Sequence, residues 1–299
     1  LLPAADYMAE YGYYDIDPSP DKAEGAYTTY LAYPNAPYLL MQPEGGPWDL
    51  STLVHEFGHY NAYFCSNDVY AANYDLSEIH SQGLELLMIH EYPALFGDAA
   101  GAMELDTMYA LLTSLVDGCM MDELERYAYT QEDLTVEQLN RKYMELLKDY
   151  GYRDPADPAE EAYSWVLTAH LYSNPLYYIS YAVSAAGAFA LWEQSLTDWD
   201  GAVDAYLRLV ALGESDDFFP TLRQVGLDNP ITPASVEALS VLVAQELQLD
   251  YDTAAAENIQ KSAQTLKEQL TGQLSREQPE LEALLERAGD FPIQTVLLV

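Results

Sequence analysis

Two histidines four residues apart enclose a glutamate in the run His55-Glu56-Phe57-Gly58-His59. On an α-helix, residues four apart lie on one face, so both imidazoles can reach a single metal ion. Catalytic zinc takes neutral nitrogen ligands, keeps one position for water and works with a nearby carboxylate that accepts a proton. Glu56 stands where that carboxylate is needed. Gly58 adds to the pattern. A glycine inside a helix costs about 1 kcal/mol relative to alanine, so its presence predicts that another backbone packs closely there.

A catalytic site of this type needs a third ligand. Glu78, His80, Glu85 and His90 all fall on the next helical segment. At about 100° per residue, Glu78 and Glu85 lie within about 20° of each other, and His80 lies about 160° away from Glu78. One face therefore carries two carboxylates. Glu78 is the expected third ligand of one Zn2+ per chain, and Glu85 the expected acceptor that orients a ligating imidazole. His80 and His90 are expected as ordinary polar or core histidines.

The elements that must position these groups follow from patterning. Residues 1–25 read as loop with a short helix. The stretches AYTTYLAY (26–33) and PYLLMQ (37–42), broken by Pro34-Asn35-Ala36, read as a β-ribbon that ends at Gly45-Gly46-Pro47. A helix that starts near Asp49 or Ser51 then carries the histidines. The pattern beyond is helical: Asp75 or Ser77 to about Phe96, 103–129, and 136–150 behind a Thr135 cap. It continues over about 160–168, 177–194, 199–212 and 219–225, and a last pair of helices begins at Thr232-Pro233 and breaks near Gly272. After about Gln248 the chain becomes a highly charged helical stretch. The expected division is a catalytic domain over 1–248 and a charged helical appendage over 249–299.

Composition excludes several function classes. Among 299 residues, 49 are acidic and 12 are Lys or Arg, for a formal net charge of −37. Such a surface repels nucleic acid and anionic membranes and attracts cationic ligands. The longest apolar run, YAVSAAGAFALW (181–192), is too short to span a bilayer. Cys65 and Cys119 form no C-x-x-C pair, which argues against thiolate ligation and leaves the redox compartment open. The chain starts at Leu1 without an initiator Met or a signal-peptide pattern, and is expected to be cut, processed or a fragment.

Several ordered blocks resemble the oligoendopeptidase F branch of the thimet oligopeptidase-like zinc metallopeptidases. They are DKAEGAYTTY (21–30), PYLLMQPEGGPWDLSTLVHEFGH (37–59), SEIHSQGLELL (77–87), DELERYAYTQEDLTVEQLNRKYMELLKDYG (122–151) and HLYSNPLYYISYAVSAAGAFAL (170–191). The resemblance covers most of 10–245. It implies a mainly α, zincin-type fold with a small β-ribbon beside the active-site helix, a deep channel, one zinc and cleavage of short peptides. It also implies a glutamate ligand at Glu78. The last block implies a second element, because amide hydrolysis passes through an oxyanion that needs positioned donors. His170, Tyr172, Tyr177, Tyr178 and Tyr181 cluster there, and Tyr178 and Tyr181, three apart, can share a helix face. With 26 tyrosines in the chain, each could instead be a core residue. Similar enzymes use a histidine and tyrosines of this region on the substrate, which points to His170 and Tyr181, with Tyr178 next.

The reading is a zinc endopeptidase that cleaves internal bonds of oligopeptides, with Glu56 as general base. The ribbon edge is expected to take the substrate backbone as an added strand. A metallocarboxypeptidase of related helical fold would need a cation for the substrate C-terminus, and Arg and Lys are scarce near the motifs. A catalytically silent peptide-binding domain would have no need of Glu56. Similar enzymes carry an N-terminal helical half ahead of the first matched block, where this chain begins. The resemblance therefore implies that this half is absent here, its face left open or masked by self-association. The residues leave the compartment open, and the resemblance favours the cytoplasm over an extracellular setting.

Overall fold

The computed structural model describes residues 1–46, 48–66, 73–152, 158–214 and 217–247. The expected charged appendage over 249–299 lies outside the described residues. Two compact units are present. Of the described residues, the first comprises those of Leu1–Met108 with Ser184–Asn229, and the second those of Tyr109–Val183 with the ones from Pro230 to Leu247.

The first unit opens with α1 (Leu2–Tyr11), which Gly12 ends in the left-handed region at φ 66°. Three strands follow: β1 (Tyr14–Asp15), β2 (Gly25–Leu31) and β3 (Ala36–Gln42). β2 and β3 form an antiparallel hairpin that pairs Gly25 with Gln42 and Leu31 with Ala36. β1 adds parallel to β3, giving the order β1-β3-β2. The short parallel strand was not expected. Two residues are too few to show any period, and the pairing joins segments far apart in sequence. Lys22 ties the sheet together: its ammonium donates to Asp15 Oδ1 at 2.6 Å, to the Asp17 carbonyl at 2.6 Å and to the Met41 carbonyl at 3.1 Å.

Helix α2 (Trp48–Cys65) packs on this sheet, and α3 (Tyr74–Met88) packs on α2. Asp49 does not cap α2 as expected. Its carboxylate accepts from the backbone of Glu44 and Gly45 at 2.9 and 2.8 Å and so fixes the turn before the helix. Asn73, two residues before Asp75 and four before Ser77, the two predicted starts, caps α3 through the amide of Asp75. The expected continuation to Phe96 is broken by a 3-10 turn at Ile89–Glu91 before α4 (Tyr92–Phe96). Helix α5 (Ala100–Thr130) starts in the first unit and runs on into the second.

In the second unit, α6 (Val136–Asp149) begins at Thr135 with a complete capping box: Thr135 accepts from the Gln138 amide, and the Gln138 side chain accepts from the Thr135 amide. Short pieces follow, α7 (Pro158–Glu161), a 3-10 turn at Ser164–Leu167 and α8 (His170–Ser173). Helix α9 (Ile179–Ser195) leads back into the first unit, which α10 (Trp199–Leu212) and α11 (Phe218–Val225) complete. Helix α12 (Pro233–Glu246), capped by Thr232, belongs to the second unit. The fold is mainly α with one small sheet, as the patterning implied. Among the described residues no helix is long and apolar enough to cross a membrane.

Candidate metal centre

The centre is built where α2 meets α3. Both backbones approach closely at Gly58: a Cβ added there would collide with the carbonyl of His80 and the Cα of Ser81. Any larger residue would push the two helices, and the side chains they carry, apart. On the α3 side Gly83 plays a similar part, since a Cβ there would press on Leu191 and come close to the Tyr206 ring. Tyr206 in turn donates its hydroxyl to the His80 carbonyl at 2.8 Å.

This contact brings His55 and His59 of α2 against Glu78 of α3. His55 Nε2 lies 3.3 Å and His59 Nε2 3.5 Å from Glu78 Oε2. One donor atom from each of the three lies within 4.8 Å of the others. Tetrahedral zinc with nitrogen and oxygen ligands at its usual bond lengths spaces its donors about 3.3–3.5 Å apart, so the group fits one such ion. The electrostatics agree. Burial disfavours charge on His55, yet the carboxylates of Glu78 and Glu85 outweigh it and hold its pKa well above the usual histidine value. Burial likewise works against the Glu78 carboxylate, and His59 and His55 reverse the effect and hold its pKa well below the usual range. The histidines and the carboxylates thus stabilise one another's charged forms.

Two of the donors, His55 and Glu78, are held by a further group. Glu85 Oε1 lies 2.7 Å from His55 Nδ1; with a proton kept on Nδ1 by that carboxylate, the neutral ring would turn its Nε2 lone pair to a metal. Ser81 donates to Glu78, with Oγ 3.2 Å from Oε2 and 3.0 Å from the carbonyl. Glu56, only 7 % exposed, lies next to the two histidines on α2. The Thr28 hydroxyl on β2 shares its hydrogen between Glu56 Oε2 at 2.8 Å and the Glu56 carbonyl at 2.9 Å.

The model of peptidase family M3 matches residues 4–241. The chain belongs to that family. It is 30% identical over 251 residues to oligopeptidase PepF of Bacillus subtilis (strain 168), a match that covers 78% of this chain and 36% of the relative. Among solved structures it is similar to one assigned as an oligoendopeptidase F, at 25% identity and TM-score 0.74, covering 82% of this chain and 45% of the other. PZ peptidase A shares the fold at 24% identity and TM-score 0.73, covering 81% and 44%. The chain thus spans less than half the length of the relatives it matches.

Two histidines of this M3 chain stand apart from the metal group. His80 is fully buried, and burial pushes its pKa down to about 3, so it is neutral at physiological pH. His90 bonds the Ser195 hydroxyl at 2.9 Å and packs on Trp199 with ring centres 4.6 Å apart. Cys65 and Cys119 are both free thiols.

The aromatic segment of the M3 chain belongs to the second unit and forms its own cluster. Tyr181 Oη lies 3.3 Å from His170 Nε2. The His170 ring centre is 5.6 Å from those of Tyr177, Tyr178 and Tyr181, and Tyr181 is 5.2 and 5.3 Å from Tyr177 and Tyr178. Tyr172 does not join it; that ring stacks on Trp165 at 6.3 Å and is exposed. Burial raises the pKa of Tyr178, so its phenol keeps its proton. Sequence reasoning missed Thr28 and Ser81. Ser81 stands three residues after Glu78, a spacing that brings side chains together on a helix, and could have been found. Thr28 is one of two adjacent threonines on a strand, and only its contact across to α2 singles it out.

Proposed function

We propose that this chain carries the catalytic centre of a zinc-dependent oligopeptidase that hydrolyses internal bonds of short peptides. The observation that supports this best is the three-donor group of His55, His59 and Glu78, with spacings of 3.3 and 3.5 Å that suit one tetrahedral ion, beside the buried carboxylate of Glu56. Bound there, zinc would supply Lewis acidity, polarising the scissile carbonyl and making water acidic enough to lose a proton near neutral pH.

The chain's own groups do the rest. Glu56 accepts the proton from the attacking water and returns it to the departing amine. The Thr28 hydroxyl keeps that carboxylate in one orientation, and Glu85 keeps His55 in the ligating tautomer. His170 and Tyr181, with Tyr178 beside them, act as donors to the developing oxyanion; this role rests on the resemblance and on their mutual packing. β2 is an outer strand, and the longer of the two, in the sheet order β1-β3-β2, and the substrate backbone adds along it. The acidic surface favours peptides carrying positive charge.

Digestion of a mixed peptide library, read by mass spectrometry, tests the proposal. The expected result is internal cleavage of short peptides that stops with a chelator and returns with zinc. Cleavage unaffected by the chelator would reject the metal role, and release of single C-terminal residues would identify a carboxypeptidase instead.

A further inference from the structure

The turn between His170 and Tyr181 is held by a residue that the catalytic reading leaves unused. Leu176 has φ 63°, in the left-handed region that side-chain-bearing residues avoid. A residue persists there only when its surroundings over-determine it. The Leu176 amide donates to Glu125 Oε1 at 2.9 Å, across 51 positions of sequence. Glu125 is 5 % exposed and sits on α5. An acidic side chain is rarely buried so completely unless it bonds to something specific.

The same face of α5 seats the next element. Gly118 lies seven residues before Glu125, which returns to about the same side of a helix. A Cβ at Gly118 would stand 2.8 Å from Ala182 Cβ and 3.1 Å from the Tyr178 carbonyl. α5 therefore fixes the segment at two points: Gly118 admits the first turn of α9, and Glu125 holds the turn that leads into it. Between these points stand Tyr177 and Tyr178, packed with His170 and Tyr181.

We propose that Glu125 is a positioning residue, which accepts the Leu176 amide and thereby sets how His170, Tyr178 and Tyr181 are presented to substrate. The inference rests on the reading above that these side chains act on the peptide. Burial raises the Glu125 pKa, and the bond from Leu176 opposes it. The bond survives either way, because a protonated carboxyl keeps a carbonyl oxygen to accept with. The acceptor, and not the charge, is the working feature.

The test compares the zinc-loaded full chain with E125Q, which keeps an acceptor, and E125M, which keeps the bulk without one. Glu125→Ala replaces E125M if that variant does not fold. Hydrogen exchange at the Leu176 amide is expected to be about tenfold faster or more in E125M and near the wild-type rate in E125Q. With a fluorogenic peptide, kcat is expected to fall about tenfold in E125M while KM stays within about twofold and zinc content is unchanged, and E125Q is expected to behave like the wild type. Unchanged Leu176 exchange in E125M would overturn the clamp. Faster exchange with unchanged kcat would overturn its consequence for catalysis. Equal losses of kcat in E125Q and E125M would show that charge acts and not the acceptor, and would also overturn it. A wild type without any peptide hydrolysis would reject the peptidase reading itself, and the exchange rates would still decide the clamp.

Discussion

The α2–α3 pair and the segment from His170 to Tyr181 assemble their side chains by different means. In the first, regular helices do the placing. His55 and His59 share a face because they are four apart, and Gly58 lets Glu78 come within reach. His55, Glu78 and Glu56 then each have a charged or hydroxyl partner: Glu85, Ser81 and Thr28. In the second, an irregular turn does the placing. The rings touch one another, Tyr181 Oη stands 3.3 Å from His170 Nε2, and the backbone between them carries a left-handed leucine. A helix pair makes a centre that tolerates little displacement. A clamped turn makes one whose precision depends on remote support.

This contrast predicts a ranking of effects. The largest is expected from Glu56→Gln, which keeps shape and removes the proton acceptor. Peptide turnover should fall about 10²–10⁴-fold at equal zinc content. Equal turnover in wild type and variant would remove Glu56 from the chemistry. Tyr181→Phe should follow, with kcat down about 10²–10³-fold and KM little changed. If kcat is unaffected, the second region is packing only, and the contrast collapses to one working region.

Smaller effects should come from groups that act through others. Glu85→Ala should weaken zinc binding about 10–100-fold, read by competition with a chelating dye; unaltered affinity would mean that His55 needs no such partner. Thr28→Val should lower kcat about tenfold, the scale of one hydrogen bond to a charged group, and Thr28→Ser should restore it. Equal kcat in Val and Ser variants would reduce Thr28 to a strand residue.

The legible part of the molecule is the part governed by period and capping. Thr135 with Gln138, the span Trp199–Leu212 and the long α5 follow from local sequence, because helices are local structures. The grouping of His55, His59 and Glu78 was legible for the same reason: spacing of four fixes His55 and His59, and spacing of seven puts Glu78 and Glu85 on one face. The resemblance added the aromatic segment, which no period reveals. What escaped was non-local. Strand β1 is two residues long and pairs with a segment about 25 positions away. Thr28 meets Glu56 across 28 positions and Glu125 meets Leu176 across 51. Asp49 looked like a helix cap and instead braces the preceding turn, since both uses demand the same short carboxylate beside free amides.

The proposed chemistry depends on one zinc ion between α2 and α3. Diffraction from zinc-loaded crystals at the zinc absorption edge tests it most directly. The expected result is a single anomalous peak bonded to His55 Nε2, His59 Nε2 and a Glu78 oxygen at about 2.0–2.2 Å, with Glu85 still on His55 Nδ1. A peak bonded to Glu85 or His80 in place of Glu78, or no peak at this helix pair in a zinc-saturated crystal, would contradict it.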